Sequence, residues 1–403
     1  MHKITLFYSS RYSDTWPIIC QKCKLNSRGD FREPLPVILR DNKLLEPNDN
    51  FGNINLDHGD ILTLSCEGSG YIIHPEIRRE LSTATIQCVA GDNFRNDDWL
   101  QSPARFSLFK CMYPPNYLSE RTNRTCFEGN TVVEVGYKIQ NTFHPVYESC
   151  FNEGSLRVIY SKYTQKHYNY NFQTRVERPF FIANDLYGLV QVDSLFSPRG
   201  QRAAVAQLVG PMIDNYIDKT EFLARGHLAA KTDFVFAFGQ RASFHYVNCA
   251  PQWSGFNGGN WNTLEVDLRN HVHAAGYDTV IYTGTFGVTQ LKNQHGRKVD
   301  IYLSTDDNNN PIIPVPQYFY KVVYEPNLQL GIVFIGINNP HYTPMEAKEL
   351  YFCEDVCRSE NNFSWLSWHP NNPSEGYTFC CTIPDFTETV PHLPRLEVAH
   401  LLR

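Results

Sequence analysis

No stretch of this sequence approaches the roughly 20 consecutive apolar residues that a membrane-spanning helix needs. The longest apolar runs, such as Leu330-Gly-Ile-Val-Phe-Ile-Gly-Ile337, have the length of buried strands. Charge is sparse as well: 19% of the 403 residues are Asp, Glu, Lys or Arg, against 42% hydrophobic and 14% aromatic. That balance excludes a disordered chain, a coiled coil and a collagen-like repeat. A basic excess is missing, the net charge being −6, so the molecule as a whole lacks the footprint of a protein that coats nucleic acid. An enzyme that grips phosphates locally and releases them remains compatible. There is no internal repeat and no low-complexity segment. Met1-His-Lys-Ile-Thr-Leu-Phe7 lacks the apolar core of a secretory signal and reads as the start of a mature chain carrying an added Met.

Cysteine, by contrast, is plentiful. The twelve are Cys20, Cys23, Cys66, Cys88, Cys111, Cys126, Cys150, Cys249, Cys353, Cys357, Cys380 and Cys381, concentrated towards the two ends. Their even number, with the glycosylation sequons Asn123-Arg-Thr125 and Asn362-Phe-Ser364, predicts that all twelve are in disulfides in a secreted, oxidised protein. Cys20-Gln-Lys-Cys23 has the spacing of half a zinc site, but no second half follows at a standard distance.

Two regions differ in texture. Residues 1–130 read as short strands, at 4–8, 35–39, 61–66 and 83–89, separated by Gly/Asn/Asp-rich turns and without a helical period. They predict a β-rich, disulfide-stapled accessory domain. Residues 131–403 mix strands, expected at 131–139, 156–160, 278–284, 317–324 and 331–337, with helices expected at 203–209 and 213–223. A cysteine-rich tail from about 345 is expected to fold back onto this body. The fold class is α+β.

One window carries chemistry. Ala224-Arg-Gly-His227 places a cation and a titratable imidazole within three residues, with Gly226 allowing a close backbone approach. A histidine beside a phosphate-binding cation can act as a general base towards water. The Gly/Asn-rich stretch 255–259 reads as a loop able to offer oxygen ligands to a hard cation. Trp261, Leu264, Leu268, Val272 and Ala275 then recur at helical spacing, with Gly276 as the stop. Glu265 and Arg269 form an i, i+4 pair on an adjacent face, and the loop lies at the helix N-terminus, where a phosphate is favoured. Between 225 and 298 seven Lys/Arg stand against four Asp/Glu, so this span is locally basic in an acidic protein. Each element alone has an ordinary structural reading; their order and spacing carry the argument.

The run Arg225-Gly-His227, Asn248-Cys-Ala-Pro-Gln252, Asn257-Gly-Gly-Asn-Trp-Asn-Thr-Leu-Glu265 and Arg269 resembles the signature of the DNA/RNA non-specific endonucleases. These are the ββα-metal nucleases related to endonuclease G. Tyr282-Thr-Gly284 and Ile313-Pro-Val-Pro-Gln-Tyr-Phe-Tyr-Lys321 resemble two further strands of that family. The accessory domain and cysteine-rich ends resemble its secreted arthropod branch, in character nearest the crustacean digestive duplex-DNA nucleases. The resemblance implies a ββα-metal core and a set of roles. His227 would be the general base and Asn257 the one direct protein ligand of a single Mg²⁺, with Mn²⁺ as a substitute. Glu265 would be the carboxylate that orients the ion's waters, and Arg225 and Arg269 cations around the scissile phosphate. Asn248, Lys231 and Arg241 would lie on the substrate side, Asn248 bracing the loop. The family's Asp before Arg-Gly-His is Ala224 here, so Arg225 must be supported differently. An upstream substrate arginine has no clear counterpart, Arg199 and Arg202 lying at plausible distances. The implied protein is a secreted, monomeric endonuclease of the digestive tract. It would cut DNA, mainly duplex, to 5′-phosphate and 3′-hydroxyl ends. Double-stranded RNA, sugar-non-specific cleavage and an inactive nucleic-acid-binding scaffold are the competing readings.

Overall fold

Strands of alternating and of continuous apolar character organise the chain around one large sheet. The computed structural model describes residues 22–77, 80–358 and 363–403; the strand expected at 4–8, Cys20 and the sequon residue Asn362 lie outside these. The sheet runs Leu118–Thr125, Thr131–Ile139, Thr142–Asn152, Arg157–Gln165, Thr279–Phe286, Tyr318–Glu325, Leu330–Ile337, Tyr377–Cys381, each pair of neighbours antiparallel. A short ninth strand, His400–Leu401, pairs in parallel with the start of Leu330–Ile337. The tail therefore does fold back, as the outer strands on that side.

Tyr318–Glu325 and Leu330–Ile337 are buried almost throughout because both sheet faces are covered. Phe319 and Val323 belong to one hydrophobic cluster, Tyr318, Tyr320 and Val322 to the other. Side chains alternate along a strand, so Lys321 is sent to the Phe319 face, where the helix of the site packs. That face's cluster continues into the amino-terminal region.

The amino-terminal region holds a six-stranded sheet, Lys43–Leu44, Val37–Arg40, Ile61–Ser65, Thr83–Ala90, Asn93–Arg95, Ala104–Arg105, and no α-helix among its described residues. Cys23–Cys88 and Cys66–Cys111 staple it. It docks on the body through Phe31, whose ring lies 4.7 Å from Phe236, and through Ser27 Oγ, which donates to the Asn171 carbonyl at 2.7 Å. Cys126–Cys150 ties the outer strands of the large sheet, and Cys353–Cys381 and Cys357–Cys380 hold the tail.

Two expectations are corrected. Pro198–Val209 is a helix, opened by Ser197 accepting from Gly200 and closed at Gly210, but 213–223 is not. Gly210–Asn215 is a 3₁₀ turn and Leu223 already opens a strand. The Asp218 carboxylate accepts from the backbone of Thr220 and Glu221, a local bonding pattern that competes with helix. Secondly, Cys249 is not in a disulfide: it is a free, buried thiol. Parity of the cysteine count does not determine pairing, and burial pushes this thiol's pKa upward, leaving it protonated and unreactive. Accordingly, N-ethylmaleimide should leave Cys249 unmodified in the native protein and label it after unfolding without reductant, as read by peptide mass mapping. Labelling of the native protein at Cys249 would contradict its burial.

Candidate active site

Leu223–His227 and Cys249–Trp253 form a two-stranded antiparallel hairpin with His227 opposite Cys249. The chain passes from it straight into a helical run: an α turn at Ser254–Phe256, a π turn at Asn257–Trp261 and the helix Asn262–Ala275. Leu264, Leu268 and Val272 are buried as their spacing predicts, and Gly276 at φ 72° ends the helix. The stretch read as a Gly/Asn loop is thus helical, bent at Gly259. The tail explains the glycines. A Cβ at Gly255 would lie 2.6 Å from the Ser374 carbonyl oxygen, and one at Gly259 2.7 Å from Glu375 Cα. Asn260 fastens the contact: its Nδ2 donates to the His369 and Gly376 carbonyls, its Oδ1 accepts from His369 N at 2.7 Å, and its N–H donates to the Glu375 carbonyl. At Gly226 the close approach is to Gln252 across the hairpin, not to a ligand.

His227 is half-buried, edge-on to Phe244 at 4.8 Å and tilted on Phe181 at 5.1 Å. Burial, helped by the charges of Arg178 and Lys231, lowers its pKa to about 3. The imidazole is therefore neutral at physiological pH, and its buried Nε2 has no hydrogen-bond partner among the described residues.

Arg225, two residues before it, is held without the family's preceding Asp. Its Nε donates to Tyr246 Oη at 2.8 Å and its Nη2 to Asp193 Oδ1 at 2.7 Å, while Tyr246 Oη donates to the same Asp193 oxygen at 2.7 Å. Phe196, Tyr246 and Phe181 surround the guanidinium at 5.4 to 5.8 Å. The support lost with Ala224 comes instead from a closed three-member ring of contacts.

Glu265 is half-buried and makes no hydrogen bond or ion pair with any described residue. Burial raises its pKa to about 7 against the pull of Lys321, Arg269 and Arg178, with Asp233 adding to the rise. Arg269 does not pair with Glu265, as the i, i+4 spacing predicts; it is buried against Asp233, Nη1 to Oδ1 2.8 Å. Asp233 Oδ2 also accepts from Tyr163 Oη, which accepts in turn from Lys321 Nζ at 3.3 Å. Fully buried Lys321 donates as well to Thr283 Oγ1 at 2.7 Å. The carboxylate that faces the site thus stands on a buried network of two cations and one anion.

The remaining expected residues divide. Asn257 is half-buried in the π turn and its side chain has no partner among the described residues. Asn248 is fully buried and braces the hairpin, bonding Ala229 N, Ala229 O and Ser243 O at 2.8 to 2.9 Å, so it is not a substrate contact. Arg241 is buried and paired with Glu33 of the amino-terminal region at 3.3 Å, which removes it from any substrate path. Lys231 Nζ donates to the Val176 carbonyl, close enough to Arg178 for each charge to lower Lys231's pKa alongside burial. Arg202 is engaged by Asp214 and the Ile217 carbonyl.

A hard divalent cation fits these donors: an unpartnered amide oxygen on Asn257 and a nearby-helix carboxylate that a dication would ionise. Elsewhere among the described residues, Asp355, Cys357 and Cys380 bring three ligand-type atoms together, but the two sulfurs are a disulfide.

Sequence reasoning missed Asp193, Tyr246, Arg178, Asp233 and Tyr163. All come from segments distant from the motif, and nothing in their spacing announces them. Lys321 did carry a signal, being the one charged residue in an otherwise apolar strand interior.

A hairpin that ends in a neutral imidazole and runs into a helix bearing an amide and a carboxylate is the ββα-metal arrangement of nucleases. Residues 128–386 match the model of the DNA/RNA non-specific endonucleases, and the chain belongs to that family; it is a nuclease. It is 29% identical to a salivary endonuclease of Lutzomyia longipalpis over 85% of this chain and 76% of that one. It is 28% identical to the salivary protein Tsal1 of Glossina morsitans morsitans over 73% of each, and 23% identical to a salivary endonuclease of Culex quinquefasciatus over 77% and 79%. A chain of the EndoG/EndoGI complex aligns over 63% of this chain and 87% of its own, with 15% identity and a TM-score of 0.39. No helix of the described residues is long and apolar enough to cross a membrane.

Two outcomes are expected of this architecture. Asp233→Ala leaves Arg269 and Lys321 buried without their anion and should cost about 3–5 kcal/mol in urea unfolding; a loss under about 1 kcal/mol would show that the network is not closed. Burial also lowers His245 to about 3, His341 to about 4 and His392 to about 3, from 6.5. The unfolded chain binds these protons first as pH falls, so their contribution is complete above about pH 6.5 and is lost progressively below it. Glu265, raised to about 7, opposes this with a single group. The urea midpoint should therefore fall between about pH 7 and pH 5, with a shallower slope in His392→Phe; equal slopes would remove His392 from the account.

Proposed function

We propose that this chain is a secreted, divalent-metal-dependent endonuclease that hydrolyses DNA, duplex by preference, to 5′-phosphate and 3′-hydroxyl ends. One observation carries the reading. His227 is held neutral between two cations with Nε2 unpartnered, the state a general base for water requires. Water as the nucleophile makes a 2′-hydroxyl unnecessary, so DNA is a competent substrate. Arg225, oriented by Asp193 and Tyr246, and exposed Arg178 bind the phosphate and stabilise the charge that develops on it. Arg178 fills the place left open for an upstream substrate arginine. Arg269, locked to Asp233, acts through the field it shares with Lys321 around Glu265. Asn257 would hold one Mg²⁺, or Mn²⁺, with Glu265 ordering its hydration. When bound, the ion supplies Lewis-acid stabilisation of the phosphate and of the departing 3′ oxygen. The salivary relatives and the five disulfides support export, in saliva rather than the gut, as a monomer. The alternative substrate, duplex RNA, is kept open by a family that takes both nucleic acids.

Plasmid DNA and synthetic duplex RNA, each incubated with Mg²⁺ or EDTA, separate these readings. Wild type should nick plasmid with Mg²⁺ and not with EDTA. His227→Ala should lower kcat by about 10²–10⁴-fold. Near-normal cleavage by that variant would remove His227 as the base, faster cleavage of RNA would reverse the substrate assignment, and binding without cleavage of either would make the chain a scaffold.

A further inference from the structure

Phe180 is 94% exposed. A phenyl ring so placed gains nothing from the fold and leaves its apolar surface in water. Its position is unusual in another way, because it lies between two residues of the site. Arg178, exposed and over the Phe244 ring at 5.5 Å, projects its charge onto both His227 and Glu265. Phe181 packs on the His227 ring itself, 5.1 Å between centroids.

The backbone here is fixed. Tyr117 Oη donates to the carbonyls of Phe180 at 3.3 Å and Phe244 at 2.9 Å, Ile182 N donates to the Phe244 carbonyl, and Tyr246 N to that of Ile182. Pro179 restrains its own φ and biases Arg178 towards an extended conformation. The segment 176–181 has no helix or turn, and a spacing of two in extended chain returns side chains to one side. Arg178 and Phe180 therefore share a side, while Phe181 faces the imidazole.

We propose that Phe180 is a stacking platform for a nucleobase next to the scissile phosphate, working with Arg178 as the phosphate-gripping cation beside it. A ring and a cation two residues apart match the alternation of base and phosphate along one strand. Base–aromatic stacking is sequence-tolerant because every base presents a π-face, so such a platform adds affinity without adding sequence preference. On duplex substrate it would receive a flanking base that leaves the stack as the strand enters. The inference rests on the nuclease reading above and names a specificity-determining residue within it.

The test uses the full-length chain with His227→Ala, so that substrate survives in the presence of Mg²⁺. Anisotropy is measured with a fluorescein-labelled single-stranded oligodeoxynucleotide and with its counterpart carrying abasic sites in place of bases. Phe180→Ala should raise Kd for the base-bearing strand about tenfold or more and leave Kd for the abasic strand unchanged, while Phe180→Trp keeps the tight binding. An equal change on both strands, or none on either, overturns the platform. Plasmid cleavage by wild type is run alongside. If wild type cuts and Phe180→Ala binds both strands normally, the platform alone falls; if wild type neither cuts plasmid nor binds either strand, the nuclease reading falls with it.

Discussion

Asp233 is the hub on which the site's geometry depends. It receives Arg269 from the helix and Tyr163 from the central sheet, and it sits six residues beyond His227 in the segment that follows the hairpin's first strand. One carboxylate thereby relates three elements to each other: the one bearing the base, the one bearing the metal-side carboxylate, and the sheet beneath. Lys321 completes the arrangement by donating to Tyr163 and Thr283. Burying two cations and an anion is costly, and such groups persist only when their hydrogen bonds are met. Here they are met by named partners, and the field left over falls on Glu265.

Opposed pKa shifts divide the labour. Desolvation pushes His227 down to about 3 and Glu265 up to about 7. The first keeps a base free of its proton at neutral pH. The second leaves a carboxylate poised so that an approaching dication would complete its ionisation. Arg178 influences both groups, so a phosphate seated on Arg178 would alter both in the same sense, easing protonation of each.

Much of the fold was legible because it follows from periodicity. The strands at 131–139 and 331–337 and the helix closed by Gly276 announce themselves by apolar spacing and a stop residue. The motif also located His227, Glu265 and Asn257, since those positions are set by short local distances. The misses have a common cause. Arg225's clamp, Arg269's partner and Arg241's burial are decided by contacts between residues tens to hundreds of positions apart, which one sequence does not display. The 254–261 segment misled for the same reason: glycines that usually mean a loop are there because residues 374–376 press against a helix. Cys249 was misassigned by parity, a rule about composition applied to a single thiol.

The tail has one more implication. The π turn bearing Asn257 leans on residues 369–376, and the strand after them is pinned by Cys353–Cys381 and Cys357–Cys380. None of these residues touches the reaction, yet the ion's protein ligand keeps its place only while they do. Thiol-rich cytosol does not let such bonds persist. The molecule is thus disarmed in the cell that makes it, its own genome and messages spared, and becomes competent only after export has oxidised it.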